Sequence, residues 1–299
     1  MNNNIIKTVV KKIIIPFSVD ELEQQHNFIN YLVNEGFCTA KIFNLYENCG
    51  SYYEVQEYIE NVDKNYDIDD LIKTIANFHK LSKKYTKPYY KKNYYKMKFK
   101  CRGVTLYKIL LNFSDKYFNF PMNNYKKNQG LIIDKICKKE VEFIINNYIK
   151  IYDFFIKNYY NDSCIIHNDI TSNNVIFNEN GIYLIDFDLS IIGTEYVDFI
   201  DAIIKRYNSI HDIVQNYEDF KKDFIKYINI YNKINNYVKL EIEGSISMLV
   251  LKLTAVHLYL LLNKQNIDRF LENNHNIFIL IKKVINDLGI GDGLYEFYN

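Results

Sequence analysis

The sequence predicts an α+β protein, with a small α/β N-terminal lobe to about residue 60 and a mostly helical C-terminal lobe after it. Three observations support this prediction. Segments rich in β-branched residues cluster near the N-terminus, apolar residues at helical spacing dominate from Asp69 onward, and a hairpin pattern interrupts the helices at residues 164–190. We therefore expect two domains, residues 1–60 and 61–299, with the hairpin region inside the second.

The N-terminal lobe begins with a strand predicted at Lys7–Ile15, which is rich in valine and isoleucine and stops at Pro16. Ser18 follows, with Glu21 three residues later, and this spacing is typical of a capping box at a helix start. Apolar residues at helical spacing continue the helix until Gly36, which favours its termination.

Two short strands are predicted next, at Ala40–Tyr46 and Tyr52–Gln56, with their turn at Asn48–Ser51. The order strand, helix, strand, strand makes a small α/β unit.

The C-terminal lobe is predicted to be helical, with apolar stripes that include Val141–Ile156, and entirely helical after residue 195. Residues 80–102 differ, because they combine many lysines and tyrosines with no acidic residue. We interpret this stretch as a solvated linker between helices. The alternatives are a surface for RNA, for a polyanionic ligand or acceptor, or for an anionic membrane.

Composition excludes several classes of protein. The chain has 37 Lys+Arg against 36 Asp+Glu, a formal net charge of +1, which argues against a surface built wholly for nucleic acid. No uninterrupted apolar run reaches the length of a membrane span, so no transmembrane segment is expected, and the N-terminus lacks a signal-peptide layout. Five widely spaced cysteines without a C-x-x-C pair favour a reducing compartment, the cytoplasm.

A hairpin is the strongest local signal in the second lobe. The apolar runs Val175–Phe177 and Ile182–Phe187 flank the dipeptide Asn180-Gly181, which favours a two-residue turn. With that turn, residue 179 pairs with 182 and residue 175 faces 186.

This pairing places Asn174 and Asp186 roughly 5–8 Å apart at the open end of the hairpin, close enough for one divalent cation to bridge them. Upstream, His167-x-Asp169 follows a third apolar run, Cys164–Ile166, and the connecting loop returns Asp169 to the same edge. A base and two oxygen ligands in one place are what phosphoryl transfer requires.

The segment resembles the aminoglycoside phosphotransferase and choline kinase group of kinase-like proteins, which is similar in turn to certain spore-coat proteins. That group carries H-x-D-x-x-x-x-N, then I-D-F/W-D/E, then a glycine and an aspartate that heads the next helix. The matching residues here are His167, Asp169, Asn174, Asp186, Asp188, Gly193 and Asp198. Residues 75–79, IANFH, resemble the group's LA-x-LH helix.

The resemblance implies a protein-kinase-like two-lobed fold and an ATP- and Mg²⁺-dependent small-molecule kinase that transfers the γ-phosphoryl group to a hydroxyl. Asp169 would be the catalytic base, and Asn174 and Asp186 would be the Mg²⁺ ligands. The acceptor stays open among aminoglycosides, choline, amino-alcohols, homoserine-like compounds and sugars.

The resemblance also implies supporting roles for three further residues. His167 would be structural and hold the loop, and Asp188 would assist at a second metal or contact the substrate. Asp198 would cap its helix and tie back to the catalytic loop, although a plain N-cap is an equally good interpretation.

The N-terminal lobe departs from the family pattern. Lys11, or its neighbour Lys12, would be the cation that binds the phosphates, but only ten residues precede Lys11, too few for a complete glycine-rich hairpin. The helix glutamate of the family falls at Gln25, and Glu21 one turn earlier is a possible substitute.

Three interpretations follow from this departure. The protein is an active kinase with a reduced N-terminal lobe, a weakly active or inactive kinase-like scaffold of the spore-coat type that binds other proteins, or a chain whose N-terminus is incomplete. A nucleic-acid-binding module that uses residues 80–102 is a more distant alternative.

Overall fold

A three-stranded antiparallel sheet and one helix form the N-terminal part of the chain in the computed structural model. The structure describes residues 7–13, 18–62, 67–89, 95–101, 104–110, 113–133, 138–162, 164–204, 207, 209–260 and 267–290. The N-terminal elements are β1 (Thr8–Lys12), α1 (Val19–Asn34), β2 (Ile42–Asn48) and β3 (Ser51–Glu57). The strand order is β1-β3-β2, so β3 is the central strand of this sheet.

The start and end of α1 follow from local sequence, as predicted. The Ser18 side chain accepts a hydrogen bond from the Glu21 backbone N–H at 3.2 Å, and the Glu21 carboxylate accepts one from the Ser18 N–H at 2.8 Å. This reciprocal capping box satisfies two backbone donors at the helix start. Gly36, with φ of 76°, adopts the left-handed conformation that ends the helix. The predicted end of the first strand, at residues 14–16, lies outside the described residues.

Nine further helices and strands of the described residues follow the N-terminal sheet and precede α5, the helix that begins at Tyr196. They are α2 (Ile68–Lys84), β4 (Tyr95–Cys101), β5 (Val104–Leu110), α3 (Phe120–Ile133), α4 (Lys138–Asn158), β6 (Cys164–Ile166), β7 (Val175–Asn178), β8 (Gly181–Leu184) and β9 (Ile191–Gly193). A π-helical turn, Asp115–Asn119, precedes α3, and β6 pairs with β9. The remaining helices are α5 (Tyr196–Ile204), α6 (Ile210–Gln215), α7 (Tyr217–Ile234), α8 (Ile242–Tyr259) and α9 (Ile267–Leu288). The predicted α+β class, with small sheets early and a mostly helical remainder, is confirmed.

The prediction of a linker over residues 80–102 is wrong for residues 80–84, which belong to α2, and for the part from residue 95. There β4 pairs with β5 as a two-stranded sheet. Lysines at 96, 98 and 100 alternate with Tyr, Met and Phe, a period of two that favours a strand over a helix or a coil. Residues 90–94 and 102–103 of this stretch lie outside the described residues.

The β7–β8 hairpin forms, but its register differs from the predicted one. Val175 pairs with Leu184 and Asn178 with Gly181, so the turn is Glu179-Asn180 and not Asn180-Gly181. The Asn178 side chain accepts a hydrogen bond from the Asn180 N–H at 3.1 Å, which closes the turn one residue early. Residue 175 therefore does not face residue 186.

The chain divides into two compact units. One comprises residues 1–108, 162–205 and 229–239, and the other comprises residues 109–161, 206–228 and 240–299. The first contains the three-stranded sheet and the β6–β9 region. The predicted boundary near residue 60 stays a prediction.

The second unit is helical, and α8 is its most buried helix. This helix packs against α3, α4 and α9. Its 18 residues have the mean hydropathy of a membrane-crossing helix, 1.2, but 72% of them are buried inside the protein. In the described part of the chain it is the one helix with that length and hydropathy, and its burial is that of a core helix.

Candidate active site

The loop after β6 is held by one buried carboxylate. Asp198 accepts a hydrogen bond from the His167 N–H through Oδ2 and another from the Asn168 N–H through Oδ1, both at 2.7 Å. Asn168 has φ of 64°, a left-handed conformation that asparagine tolerates better than most residues. These bonds fix the backbone immediately before Asp169. Asp198, in the first turn of α5, thus makes a tertiary contact beyond a local helix cap.

Asp198 is itself part of a buried chain of hydrogen bonds. The His79 ring on α2 contacts Asp198 Oδ2 through Nε2 at 3.0 Å and the Tyr231 hydroxyl through Nδ1 at 2.7 Å. Burial alone would raise the pKa of Asp198, but the hydrogen bonds from His79 and from the His167 backbone outweigh it and lower that pKa. Asp198 is therefore held as an anion, although none of its surface is exposed.

His167 links the loop to the segment that carries Asp186. Its Nε2 atom lies 2.9 Å from the carbonyl oxygen of Ile185, and because a carbonyl can only accept, Nε2 carries the proton. The ring packs on Phe187 with a centroid distance of 4.7 Å. Burial lowers the pKa of His167, so the ring is neutral at pH 7. The structure thus places His167 in the packing beneath the loop.

Asn174 contacts Asp169 directly. Its side-chain N–H₂ donates to the Asp169 backbone carbonyl at 2.9 Å and to Asp169 Oδ2 at 3.0 Å. These two bonds turn the Asn174 amide oxygen away from Asp169. The backbone carbonyl of Asn174 accepts from the Ile185 N–H at 3.0 Å, so Asp186 follows immediately. The shifted hairpin register therefore still brings Asn174 and the Asp186 segment together.

Asp186 has a backbone conformation that is uncommon for a residue with a side chain. Its φ and ψ are 62° and 66°, directly before the 3₁₀ turn Phe187–Leu189. Such strain in a non-glycine residue is frequent at functional sites. Asp188 follows within the turn, so two carboxylates lie two residues apart.

Lys11 on β1 bridges these two carboxylates. Its Nζ atom lies 2.8 Å from Asp186 Oδ1 and 2.5 Å from Asp188 Oδ1. Of the two lysines considered for the phosphate-binding cation, Lys11 is the one at the carboxylates. Lys12 is exposed, and its ammonium lies over the Tyr53 ring.

The charges of this triad are strongly coupled. Burial would lower the pKa of Lys11, but the carboxylates of Asp188, Asp186 and Glu54 raise it well above its usual range. Burial works against ionisation of Asp186 as well, yet the Lys11 ammonium outweighs it and lowers that pKa. For Asp188, burial and the neighbouring Asp186 raise the pKa despite Lys11. The site therefore holds two carboxylates around one cation.

The two helix residues considered as partners of the lysine are engaged elsewhere. Gln25 is buried on α1 and donates from Nε2 to the Phe187 carbonyl at 2.6 Å. Glu21 forms the capping box with Ser18. Sequence reasoning missed Glu54, which stands opposite Lys11 in the β1–β3 ladder. Pairing the predicted strands in register would have pointed to it.

A small cleft lies over these residues, with free space for about one water molecule. Its walls combine apolar side chains, such as Ile29, Ala40 and Ile42, with Lys11 and Asp186. The lining thus places apolar surface directly beside a lysine and a carboxylate.

The side-chain oxygens of Asp186 and Asn174 are of the kind that a hard divalent cation binds. Asp186 offers carboxylate oxygens and Asn174 an amide oxygen, and Mg²⁺ is commonly bound by one or two such protein ligands together with substrate phosphates. Among the described residues, no group of three or more His, Cys, Asp and Glu side chains is placed to hold a metal by itself.

Residues 150–220 match the model of the phosphotransferase enzyme family, known as APH. The matched range contains the Asp169 loop, the β7–β8 hairpin and Asp198. No curated protein sequence matches the chain significantly. The match confirms the resemblance that the motifs indicated.

The fold is similar to that of solved phosphotransferases. An aminoglycoside phosphotransferase from Alicyclobacillus acidocaldarius superposes with a TM-score of 0.60 at 9% identity, over 96% of this chain and 88% of that one. The choline kinase LicA from Streptococcus pneumoniae has a TM-score of 0.49 at 15% identity, over 96% and 87% of the two chains. A structure of LicA in complex with AMP has a TM-score of 0.50 at 16% identity, over 95% and 85%. The likeness at a TM-score of 0.60 shows the kinase-like fold, and the family match supports a small-molecule phosphotransferase in general.

Proposed function

We propose that this protein is an ATP- and Mg²⁺-dependent kinase that phosphorylates a hydroxyl group of a small molecule. The observation that carries the proposal is the linked set of contacts from Asn174 to Asp169 and from Lys11 to Asp186. The residues that we propose as base, oxygen ligands and phosphate-binding cation all belong to one unit of the chain, which supports the proposal.

In the proposed reaction, the acceptor oxygen forms a bond to the γ-phosphorus while the bond from phosphorus to the β,γ-bridging oxygen breaks. The electron pair of the broken bond leaves with ADP. Asp169 receives the hydroxyl proton, and its carboxylate is held for this by the Asn174 amide at 3.0 Å. The hydrogen bonds from the His167 and Asn168 backbone to Asp198 keep the loop in place during the transfer.

Asp186 and Asn174 are the residues that would hold Mg²⁺. The bound ion would neutralise negative charge on the transferring phosphoryl group. Lys11, which bridges the carboxylates in this structure, would bind phosphate oxygens when the nucleotide is present. Asp188, whose carboxylate also contacts Lys11, would be close to the same Mg²⁺ ion.

The proposal places the protein in a reducing compartment, the cytoplasm, in agreement with the free thiols of Cys38, Cys49 and Cys164. Its partner there would be a small-molecule acceptor carrying a hydroxyl.

Calorimetric titration with ATP, with and without Mg²⁺, tests this function. We expect micromolar binding that requires Mg²⁺ and that the Asp186→Ala substitution weakens at least tenfold, since Asp186 supplies the metal ligand. The control is Glu47→Ala, at an exposed position of β2 in the same unit. Absence of ATP binding by the wild-type protein up to millimolar concentration would overturn the proposal and favour a non-catalytic scaffold.

A further inference from the structure

Glu54 is a buried carboxylate in the middle of the N-terminal sheet. It is 1% exposed and lies on the central strand β3, directly opposite Lys11 on β1. Residues that pair across an antiparallel ladder project to the same face of the sheet, and both side chains line the same cleft. A buried acid and a partly buried lysine therefore share one face at the proposed phosphate site.

Two further side chains hold Glu54 in place. Its Oε1 atom lies 2.6 Å from Nε2 of His26 on α1, and its Oε2 atom accepts from Nε2 of Gln56 at 2.5 Å. Both carboxylate oxygens thus have a partner, one from the helix and one from its own strand. This arrangement leaves the side chain little rotational freedom.

Glu54 is charged despite its burial. Burial would raise its pKa, but the hydrogen bond from His26 and the positive charge of Lys11 outweigh this and lower the pKa of Glu54. A buried charge is costly unless it is paired and hydrogen-bonded. The fold thus keeps a negative charge next to Lys11 that is separate from Asp186 and Asp188.

The described contacts of Lys11 include no acidic side chain from helix α1. In nucleotide kinases of this fold, the strand lysine is commonly paired with a glutamate from the adjacent helix. Here Gln25 is neutral and donates its amide hydrogen to the Phe187 carbonyl. The contribution of α1 to the lysine is indirect, through His26 and Glu54.

We infer that Glu54 is the positioning residue for Lys11, and that the sheet and not the helix provides the acidic partner of the phosphate-binding lysine. This inference rests on the proposed function. With Mg²⁺ held by Asp186 and Asn174 and the nucleotide bound, Lys11 would exchange its carboxylate partners for phosphate oxygens. Glu54 faces Lys11 from the opposite strand, and its negative charge would favour the ammonium at the phosphates after this exchange.

The Glu54→Gln substitution tests this role, because glutamine keeps the shape of the side chain and removes the charge. We expect the Kd of the Mg²⁺–ATP complex to rise at least tenfold, while the Kd of adenosine, which has no phosphates, changes less than twofold. The control is Glu57→Gln on the same strand, which accepts a hydrogen bond from the Lys41 backbone and should leave both values unchanged. Equal weakening of ATP and adenosine, or no weakening of either, would overturn the inference.

A second variant covers the case in which Glu54→Gln does not fold. His26→Leu removes one hydrogen bond to Glu54 from a partly exposed helix position, and we expect ATP binding to weaken several-fold with adenosine binding unchanged. Unchanged ATP binding in a folded His26→Leu protein would count against the role of His26 and Glu54 in positioning Lys11. If the wild-type protein binds no ATP, the proposed function fails together with this inference. If the wild-type protein and the Glu54→Gln variant bind ATP equally well, only the inference fails.

Discussion

The ammonium of Lys11 lies 2.8 Å from Asp186 Oδ1, although the two residues are 175 positions apart in the sequence. The same ammonium reaches Asp188 at 2.5 Å. Two carboxylates this close to each other repel unless a cation lies between them. In this structure Lys11 is that cation.

Replacement of Lys11 by methionine should therefore destabilise the protein in the absence of metal. We expect a loss of about 1–2 kcal/mol, below the value for a fully buried pair because Asp186 is partly exposed. Millimolar Mg²⁺ should restore much of this loss, since the ion compensates the same two carboxylates. Thermal unfolding with and without Mg²⁺ measures both effects, with Lys12→Met as the control. An equal Mg²⁺ response in wild type and Lys11→Met would contradict the prediction.

Asp169→Asn should abolish turnover without loss of nucleotide binding. A general base of this kind contributes about 10²–10⁴-fold to the rate, so we expect a fall of at least about 10³ in kcat. The Kd for Mg²⁺–ATP should change less than about twofold, since the proposed metal ligands and Lys11 are intact. Initial rates measure kcat, and calorimetry on the same preparation measures the Kd for Mg²⁺–ATP. Asp153→Asn, at an exposed position of α4, is the matched control. Substantial remaining turnover would show that Asp169 is not the catalytic base.

Asp198→Asn should destabilise the loop that carries Asp169. The amide can accept only one of the two backbone hydrogen bonds that the carboxylate accepts at 2.7 Å, and it leaves His79 with a weaker partner. We expect the free energy of unfolding to fall by about 2–4 kcal/mol, as measured by urea denaturation at pH 7. Asp219→Asn, at an exposed surface ion pair of α7, should change stability by less than about 0.5 kcal/mol. A loss below about 1 kcal/mol for Asp198→Asn would show that the loop is held in another way.

His257 should make the helical unit acid-sensitive. Burial against Phe270 lowers the pKa of this imidazole from 6.5 to about 4. Between these two values the unfolded chain binds a proton that the folded chain does not bind, so stability decreases as the pH falls from 6.5 towards 4. From pH 7 to pH 5 this amounts to about 2 kcal/mol.

Urea denaturation of wild type and His257→Phe at pH 7 and pH 5 measures this effect. We expect the wild-type protein to lose more stability than the variant between these pH values, since phenylalanine does not titrate. His275→Phe, at an exposed position of α9, is the control and should behave like wild type. An equal pH dependence of the free energy of unfolding in wild type and His257→Phe would show that His257 is not the source of the acid sensitivity.

Local sequence determined much of the fold. The capping box at Ser18, the end of α1 near Gly36 and the strands β2 and β3 follow from short-range patterns, because their hydrogen bonds join residues close in the chain. The spacing between Asp169 and Asn174 has the same local character, and the two side chains are hydrogen-bonded as neighbours in one loop.

Where two local preferences compete, sequence reasoning was less accurate. The Asn180-Gly181 pair favours a turn, but the side chain of Asn178 closes the turn one residue earlier, and this shifts the hairpin register. Similarly, the many lysines of β4 favoured a linker, although they occupy every second position between Tyr, Met and Phe, which is typical of a strand.

By itself the sequence determined the phosphotransferase motif, the order of most helices and strands, and the residues that meet within one loop. Tertiary structure alone decided that Lys11 and not Lys12 reaches Asp186 and Asp188, that Gln25 is used by the Phe187 carbonyl, and that Glu54 lies opposite Lys11. The reason is physical. These contacts join segments far apart in the chain, and their geometry depends on strand pairing and on the burial of charges, which local propensity does not encode.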